Sequence, residues 1–152
     1  MRYLGLAAWL ANVVLVLASW FCSVPIWLYA VLFVWIFIAF LSLAAQKCSL
    51  GDLLGNAPPL LRLLAWVSAG YTGINFLISG YLLRNGGPRI NEGVYCLWDH
   101  GFIREITKAE YDALILIENR LFFGHTLLFT GLMMAALYGA YYRKQKPQHI
   151  ES

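Results

Sequence analysis

Apolar residues in this chain fall into four long runs, covering about residues 3–21, 26–45, 63–83 and 121–142. Each is close to the roughly 20 residues that a helix needs to cross a hydrocarbon core about 30 Å thick. The pattern therefore predicts an all-α membrane protein of four transmembrane helices in a single domain, residues 1–152. The runs differ in kind. The second is apolar on every side, with Trp27, Trp35 and several Phe, as a helix facing lipid can be. The short link Cys22-Ser23-Val24-Pro25 makes the first two spans an antiparallel helical hairpin, with Pro25 suited to the first turn of the second helix. Asn12, midway along the first span, reads as a hydrogen-bonding contact to a neighbouring helix. In the third run Ser68, Thr72, Asn75 and Ser79 recur at steps of four, three and four, beside Ala65, Ala69 and Gly73. Small residues let helices approach closely in lipid, while hydroxyls and amides bond across the contact. This face reads as helix packing, with a polar stripe lining a pathway as the alternative, and the third span reads as the central helix.

The polar stretches carry their own signals. Residues 46–59 form a loop in which Leu50, Leu53 and Leu54 suit a short surface helix ended by Pro58-Pro59. After the third span, Arg84-Asn85-Gly86-Gly87-Pro88 breaks the helix, and residues 91–120 form an outer segment. Residues 94–98 and 102–106 read as two strands of a β-hairpin turning at Asp99-His100-Gly101, with Gly101 supplying the positive φ of a tight turn. Alternation places Tyr95 and Leu97 on one face and Val94, Cys96 and Trp98 on the other. Thr107-Lys108-Ala109-Glu110 is a capping box, so a helix starts at about Lys108. Nothing stops it before Tyr142. It is a rod of about 35 residues and roughly 50 Å, whose first turns stand outside the lipid. On its membrane portion Gly124, Leu128, Gly131, Ala135 and Gly139 form a smooth face for close packing on the third span.

Composition agrees with lipid as solvent. The chain is 61% hydrophobic and only 12% charged, and its mean hydropathy is +0.64. Met1-Arg2 before an apolar run has the outline of a signal peptide. The run exceeds the usual roughly 7–15 residues of an h-region and no small-x-small site ends it, so an uncleaved first helix is expected. Arg143-Lys144-Gln145-Lys146 follows the last span directly. The positive-inside rule then places the C-terminus, and with an even number of spans the N-terminus, in the cytoplasm. Arg2, Lys47 and Arg62 join that side; Arg84, Arg89, Arg104, Lys108 and Arg120 fall outside with most of the acids, Glu92, Asp99, Glu105, Glu110, Asp112 and Glu118. No basic run outside the tail suggests nucleic acid. Cys22, Cys48 and Cys96 make no CxxC or metal-ligand spacing, against a thiol-redox enzyme. A Cys22–Cys96 disulfide is open on the outer side, but three free thiols are the leading expectation.

One stretch resembles a group of small, uncharacterised bacterial membrane proteins. The shared pattern is carried here by Gly86-Gly87-Pro88, Gly93, Tyr95, Leu97, His100-Gly101, Arg104-Glu105-Ile106-Thr107, Glu110-Tyr111, Glu118, Arg120, Phe123 and Gly124-His125. It spans about 40 of the 152 residues. The residue before Gly124 departs from the Phe-Ser-Gly-His of the group. The resemblance implies a hairpin-plus-helix module in a bacterial inner membrane and brings no activity with it.

Candidate chemistry is sparse. Glu118 and His125 share a helix face but lie seven residues apart, about 10.5 Å along the axis, too far to bind one ion without bending. An ionisable group at the membrane edge is a functional candidate. His125 therefore reads first as a structural hydrogen-bonding residue, then as a proton- or ligand-handling group, then as a metal or haem ligand. If the hairpin folds over the helix end, His100, His125 and Glu118 would make a two-His, one-carboxylate set suited to Zn or Fe. There is no GxSxG, HExxH, P-loop or dinucleotide fingerprint, and no carboxylate in mid-span, against an enzyme and against a small proton-coupled exporter. The leading expectation is a non-enzymatic interaction or accessory protein without a cofactor. Its outer segment would present Tyr95, Trp98, His100, Phe102 and Arg104 to a membrane or periplasmic protein partner, or to a second copy. A metal-, haem- or small-ligand-handling protein, or an oligomeric channel or carrier, is the alternative.

Overall fold

The computed structural model describes residues 1–46, 48–99 and 101–145. Five helices, α1 (Arg2–Ala18), α2 (Ile26–Ala44), α3 (Leu50–Asn56), α4 (Pro59–Leu82) and α5 (Lys108–Gln145), flank a small sheet of β1 (Gly87–Asn91), β2 (Val94–Asp99) and β3 (Phe102–Glu105). Three of the helices, α2, α4 and α5, are long and apolar enough to cross a membrane, rather than the four expected. The shortfall is in α1, at 17 residues. Its last turn tightens: Trp20 N–H reaches the Leu17 carbonyl and Phe21 N–H that of Ala18, while the buried Ser19 hydroxyl donates to the Val16 carbonyl at 2.7 Å. The tightening converts residues 19–21 into a turn.

The central helix is α5, not α4. It packs against α1, α2, α3, α4 and the sheet, and 61% of its most apolar window is buried, against 22% in α2 and in α4. The reason lies in its side chains, which are small or short on several faces at once. Toward α4, the positions of Gly124 and Gly131 meet Asn75 and Ser68. Toward α1, Thr126 and Thr130 receive the Asn12 amide, at 3.0 and 3.2 Å. Toward α2 and α3, Met133, Ala136, Leu137 and Ala140 form a cluster with Ala39, Leu43 and Leu53. A second cluster joins Val16, Val24 and Leu32 to Phe123 and Leu127. The outer faces of α1, α2 and α4 carry exposed large apolar side chains such as Phe33, Phe37, Leu63 and Leu77.

Prolines set two boundaries. Pro59 stands at the first position of α4, so the helix begins four residues earlier than the apolar run alone indicates; the missing N–H is one that a first turn leaves unpaired anyway. Pro88 lies in β1, a strand absent from the expected two-stranded hairpin. It is tolerated because β1 is an edge strand, pairing only with β2 in an antiparallel sheet of order β1-β2-β3. Glu92 and Gly93, with φ of 49° and 85°, close the β1–β2 turn between the paired Asn91 and Val94, the double positive φ of a two-residue hairpin loop. Gly101, at φ 98°, serves the β2–β3 turn. The start of α5 is capped reciprocally: Thr107 N–H donates to Glu110 Oε2 at 2.8 Å and Glu110 N–H to Thr107 Oγ1 at 3.2 Å. All three cysteines are free thiols, with Cys96 buried and Cys22 exposed.

Candidate functional site

The residues singled out by sequence separate into a buried seam, an open sheet face and a cleft. The seam is the polar face of α4. Ser68, Thr72, Asn75 and Ser79 are all buried and turned toward α5. Asn75 Nδ2 donates to the Arg120 carbonyl at 2.8 Å, in the space that Gly124 leaves by having no Cβ. Thr72 Oγ1 lies 2.7 Å from the Gly124 carbonyl and 2.8 Å from that of Ser68, so its single proton is shared between the two helices. Ser68 Oγ accepts from the Trp9 indole at 3.0 Å. Ser79 Oγ donates to Asn75 Oδ1 at 3.4 Å. Ala135 is buried in a cluster with Ala57 and Ala65. Two glycines depart from the expected face. Gly139 meets Leu53 and Ala57 around α3 instead of α4, and a Cβ at Gly73 would find no atom within 4 Å, because that glycine is turned away from the bundle.

The sheet stands on the first turns of α5, and its register decides which side chains are available. Leu97 and Pro88, a cross-strand pair, are buried. Tyr95, two residues from Leu97, is half-buried with its ring 4.9 Å from that of Tyr111. Tyr95 thus belongs to the covered face and not to the outward surface expected of it. Arg104 pairs with Leu97 on that same side, at an exposed edge where its charge reaches Glu110. The opposite face is open except at Cys96, which is buried. Trp98 sits across from Ile103 and Gly87, and Cys96 across from Arg89 and Glu105. Trp98 is 45% exposed and Ile103 54%, and the Arg89 guanidinium lies 5.2 Å from the Trp98 ring centre. Sequence reasoning found Trp98 but missed Arg89 and Ile103. Arg89 belongs to the unexpected strand, while Ile103 becomes a neighbour of Trp98 only through the β2–β3 register. His100 lies outside the described residues, as does the side chain of Phe102.

Beside this face, a cleft of about 350 Å³ lies between the end of α4, β1 and α5, with Arg84, Gly87, Arg89, Trp98, Asp99 and Glu118 on its walls. Gly86 turns the chain into it at φ 111°, where a Cβ would strike the Trp98 carbonyl. Burial pushes the Glu118 carboxyl above the ordinary carboxylate range, with Arg89 pulling the other way.

Glu118 and His125 face different neighbours. Glu118 approaches β1 at Gly87, whereas His125 lies edge-on to Phe76 of α4 at 5.4 Å, with Nδ1 2.7 Å from the Leu121 carbonyl of its own helix. Among the described residues, no group of three His, Cys, Asp or Glu is placed to hold a metal ion.

No model of a protein family, no curated protein and no solved structure matches this chain.

Proposed function

We propose that this chain is a bacterial inner-membrane protein without catalytic activity, which presents its sheet-and-helix end as a binding surface to a partner protein or to a second copy. In this reading α1 with its terminal turn, α2, α4 and α5 form a four-span bundle, the basic tail faces the cytoplasm and the sheet lies outside. The observation that carries the reading is the open sheet face. An aromatic and an aliphatic side chain sit side by side, Trp98 and Ile103, flanked by Arg89 and Glu105. Trp and Arg over an apolar patch within a charged rim is the composition of interface hot spots. The sheet is also seated on the rod that every other helix touches, so the surface is ordered before any partner arrives. In the seam the hydroxyls and amide are engaged within and between helices, which favours helix packing over a pathway.

Native mass spectrometry of protein extracted gently from its own membranes tests the proposal. Wild type should carry a stoichiometric additional protein mass. Trp98→Ala combined with Ile103→Ala should release it, since removing one hot-spot residue costs about 2 kcal/mol or more, roughly thirtyfold in affinity. His125→Ala should retain it. Bare wild-type monomer, or loss on His125→Ala with retention in the sheet variant, refutes the reading.

A further inference from the structure

The end of the bundle away from the sheet holds a second feature. Two clefts open side by side there, of about 420 and 390 Å³. The first is walled by Arg2, Tyr3, Tyr141 and Lys144; the second by Cys48, Arg143 and Lys144; they share Gln46, Ala140 and Lys144. Their charge is of one sign. Arg2, Arg143 and Lys144 contribute; among the described residues no carboxylate stands on the walls and none of these three cations is ion-paired to an Asp or Glu. Two are held in place by neighbours that do not neutralise them. The Arg2 guanidinium lies 3.5 Å from the centre of the Tyr141 ring and donates to the Tyr3 hydroxyl at 2.6 Å, while Arg143 donates to Cys48 Sγ. Below this rim the floor is apolar, formed by Leu137 and Ala140, both buried.

Guanidinium groups match phosphate oxygens in geometry as well as charge. Basic pockets between spanning helices on the cytoplasmic side are suited to anionic headgroups. The geometry points to a binding site for an anionic phospholipid, its phosphodiester between Arg2, Lys144 and Arg143 and its first methylenes over Leu137 and Ala140. The three cations set the class, because among the described wall residues a choline or ethanolamine cation would meet three like charges. This inference rests on the membrane placement proposed above.

The test uses full-length protein, stripped of lipid in a non-ionic detergent and titrated in native mass spectrometry with phosphatidylglycerol, phosphatidylcholine or inorganic phosphate. Phosphatidylglycerol should bind at least about tenfold more tightly than phosphatidylcholine. Arg2→Gln, Arg143→Gln and Lys144→Gln together should weaken it about a hundredfold, and Lys144→Gln alone, at an exposed position that threatens no packing, about fivefold. Arg84→Gln with Lys108→Gln, at the opposite end, should leave it unchanged. Equal binding of the two lipids, or wild-type affinity in the triple variant, overturns the site. Binding of inorganic phosphate without a lipid preference overturns the lipid in favour of the free ion. Alkaline carbonate separates the two proposals. A chain that leaves the membrane without detergent overturns the membrane reading and this site with it; one that stays but shows no lipid preference overturns only the site.

Discussion

The contact between Asn75 and Gly124 makes a sharp prediction, because the same substitution should destabilise at one glycine and not at another. A methyl group added at Gly124 would lie 2.5 Å from Asn75 Nδ2, short of the 3.4 Å at which ordinary contact begins. The Asn75 amide has to retreat by roughly 1 Å, well beyond the few tenths of an ångström a packed neighbour yields. That retreat breaks its 2.8 Å bond to the Arg120 carbonyl and disturbs the Ser79 hydroxyl that donates to Asn75. An interhelical hydrogen bond in a membrane is worth about 0.6 kcal/mol on average and up to about 1.7. Overpacking adds about 1–3 kcal/mol, and the better helix propensity of Ala returns up to about 1 kcal/mol. Gly124→Ala should therefore lose about 1–4 kcal/mol. Gly73→Ala, where nothing lies within 4 Å, should be neutral or gain up to about 1 kcal/mol. Reversible unfolding in mixed micelles, followed by circular dichroism, reads both. Adding Asn75→Ala to Gly124→Ala should cost less than the sum of the single changes, because the amide that the new methyl strikes is gone. Equal stability of Gly124→Ala and Gly73→Ala would refute the argument.

Two further outcomes follow from the same physical reasoning. At Gly139 a Cβ would fall on the Leu53 carbonyl, which is backbone and cannot rotate aside. Gly139→Ala should lift α3 from α5, cost about 3 kcal/mol, and speed maleimide labelling of Cys48, which packs against the same cluster; unchanged labelling would count against it. At the start of α5, the Thr107 backbone N–H and then its hydroxyl hold the Glu110 carboxyl below its ordinary range. A depressed folded pKa gives stability that is complete above the unfolded value, about 4.3, and lost as pH falls through the folded one. Amide-exchange protection in the first turn of α5 should therefore drop on acidification in wild type and be lower but flat in Glu110→Ala; matching pH profiles would refute the cap's contribution.

Sequence made some of this architecture legible and hid the rest for identifiable reasons. Local chemistry announced itself: the Thr107–Glu110 box marks the start of α5, Gly101 its turn, and an uninterrupted run the length of the rod. The strand β1 stayed hidden behind Pro88 and Gly86-Gly87, which read as a break. Its turn places Glu92 at positive φ, a residue that does not advertise that conformation as Asn or Gly would. The exchange of centrality between α4 and α5 has another cause. The stripe of Ser68, Thr72, Asn75 and Ser79 occupies one face and was visible at helical spacing. The small residues of α5 serve several neighbours on several faces, so no single periodicity reports them. Alternation grouped Tyr95 with Leu97 correctly, but which group α5 covers is a tertiary fact, and it moved Tyr95 from the surface to the contact with Tyr111.

Why the sheet and the bundle belong to one mechanical unit follows from where the polar bonds lie. A hairpin carried on a loop would swing relative to the spans. Here β1 and β2 both pack on α5, and Gly86 holds the chain against β2 as it leaves α4. The same rod is fixed along its length by hydrogen bonds from Asn75 and Thr72 of α4 and from Asn12 of α1, besides the apolar packing of Leu53 from α3. In lipid such bonds are the specific part of helix association, since apolar contact with a neighbour and with acyl chains differs little. They set the rotation of α5 about its own axis, and that rotation sets the direction in which the Trp98 face looks out. On the proposed function, loosening the seam should therefore weaken retention of a partner at the sheet without touching a surface residue, whereas a variant confined to the exposed outer side of α2 should not.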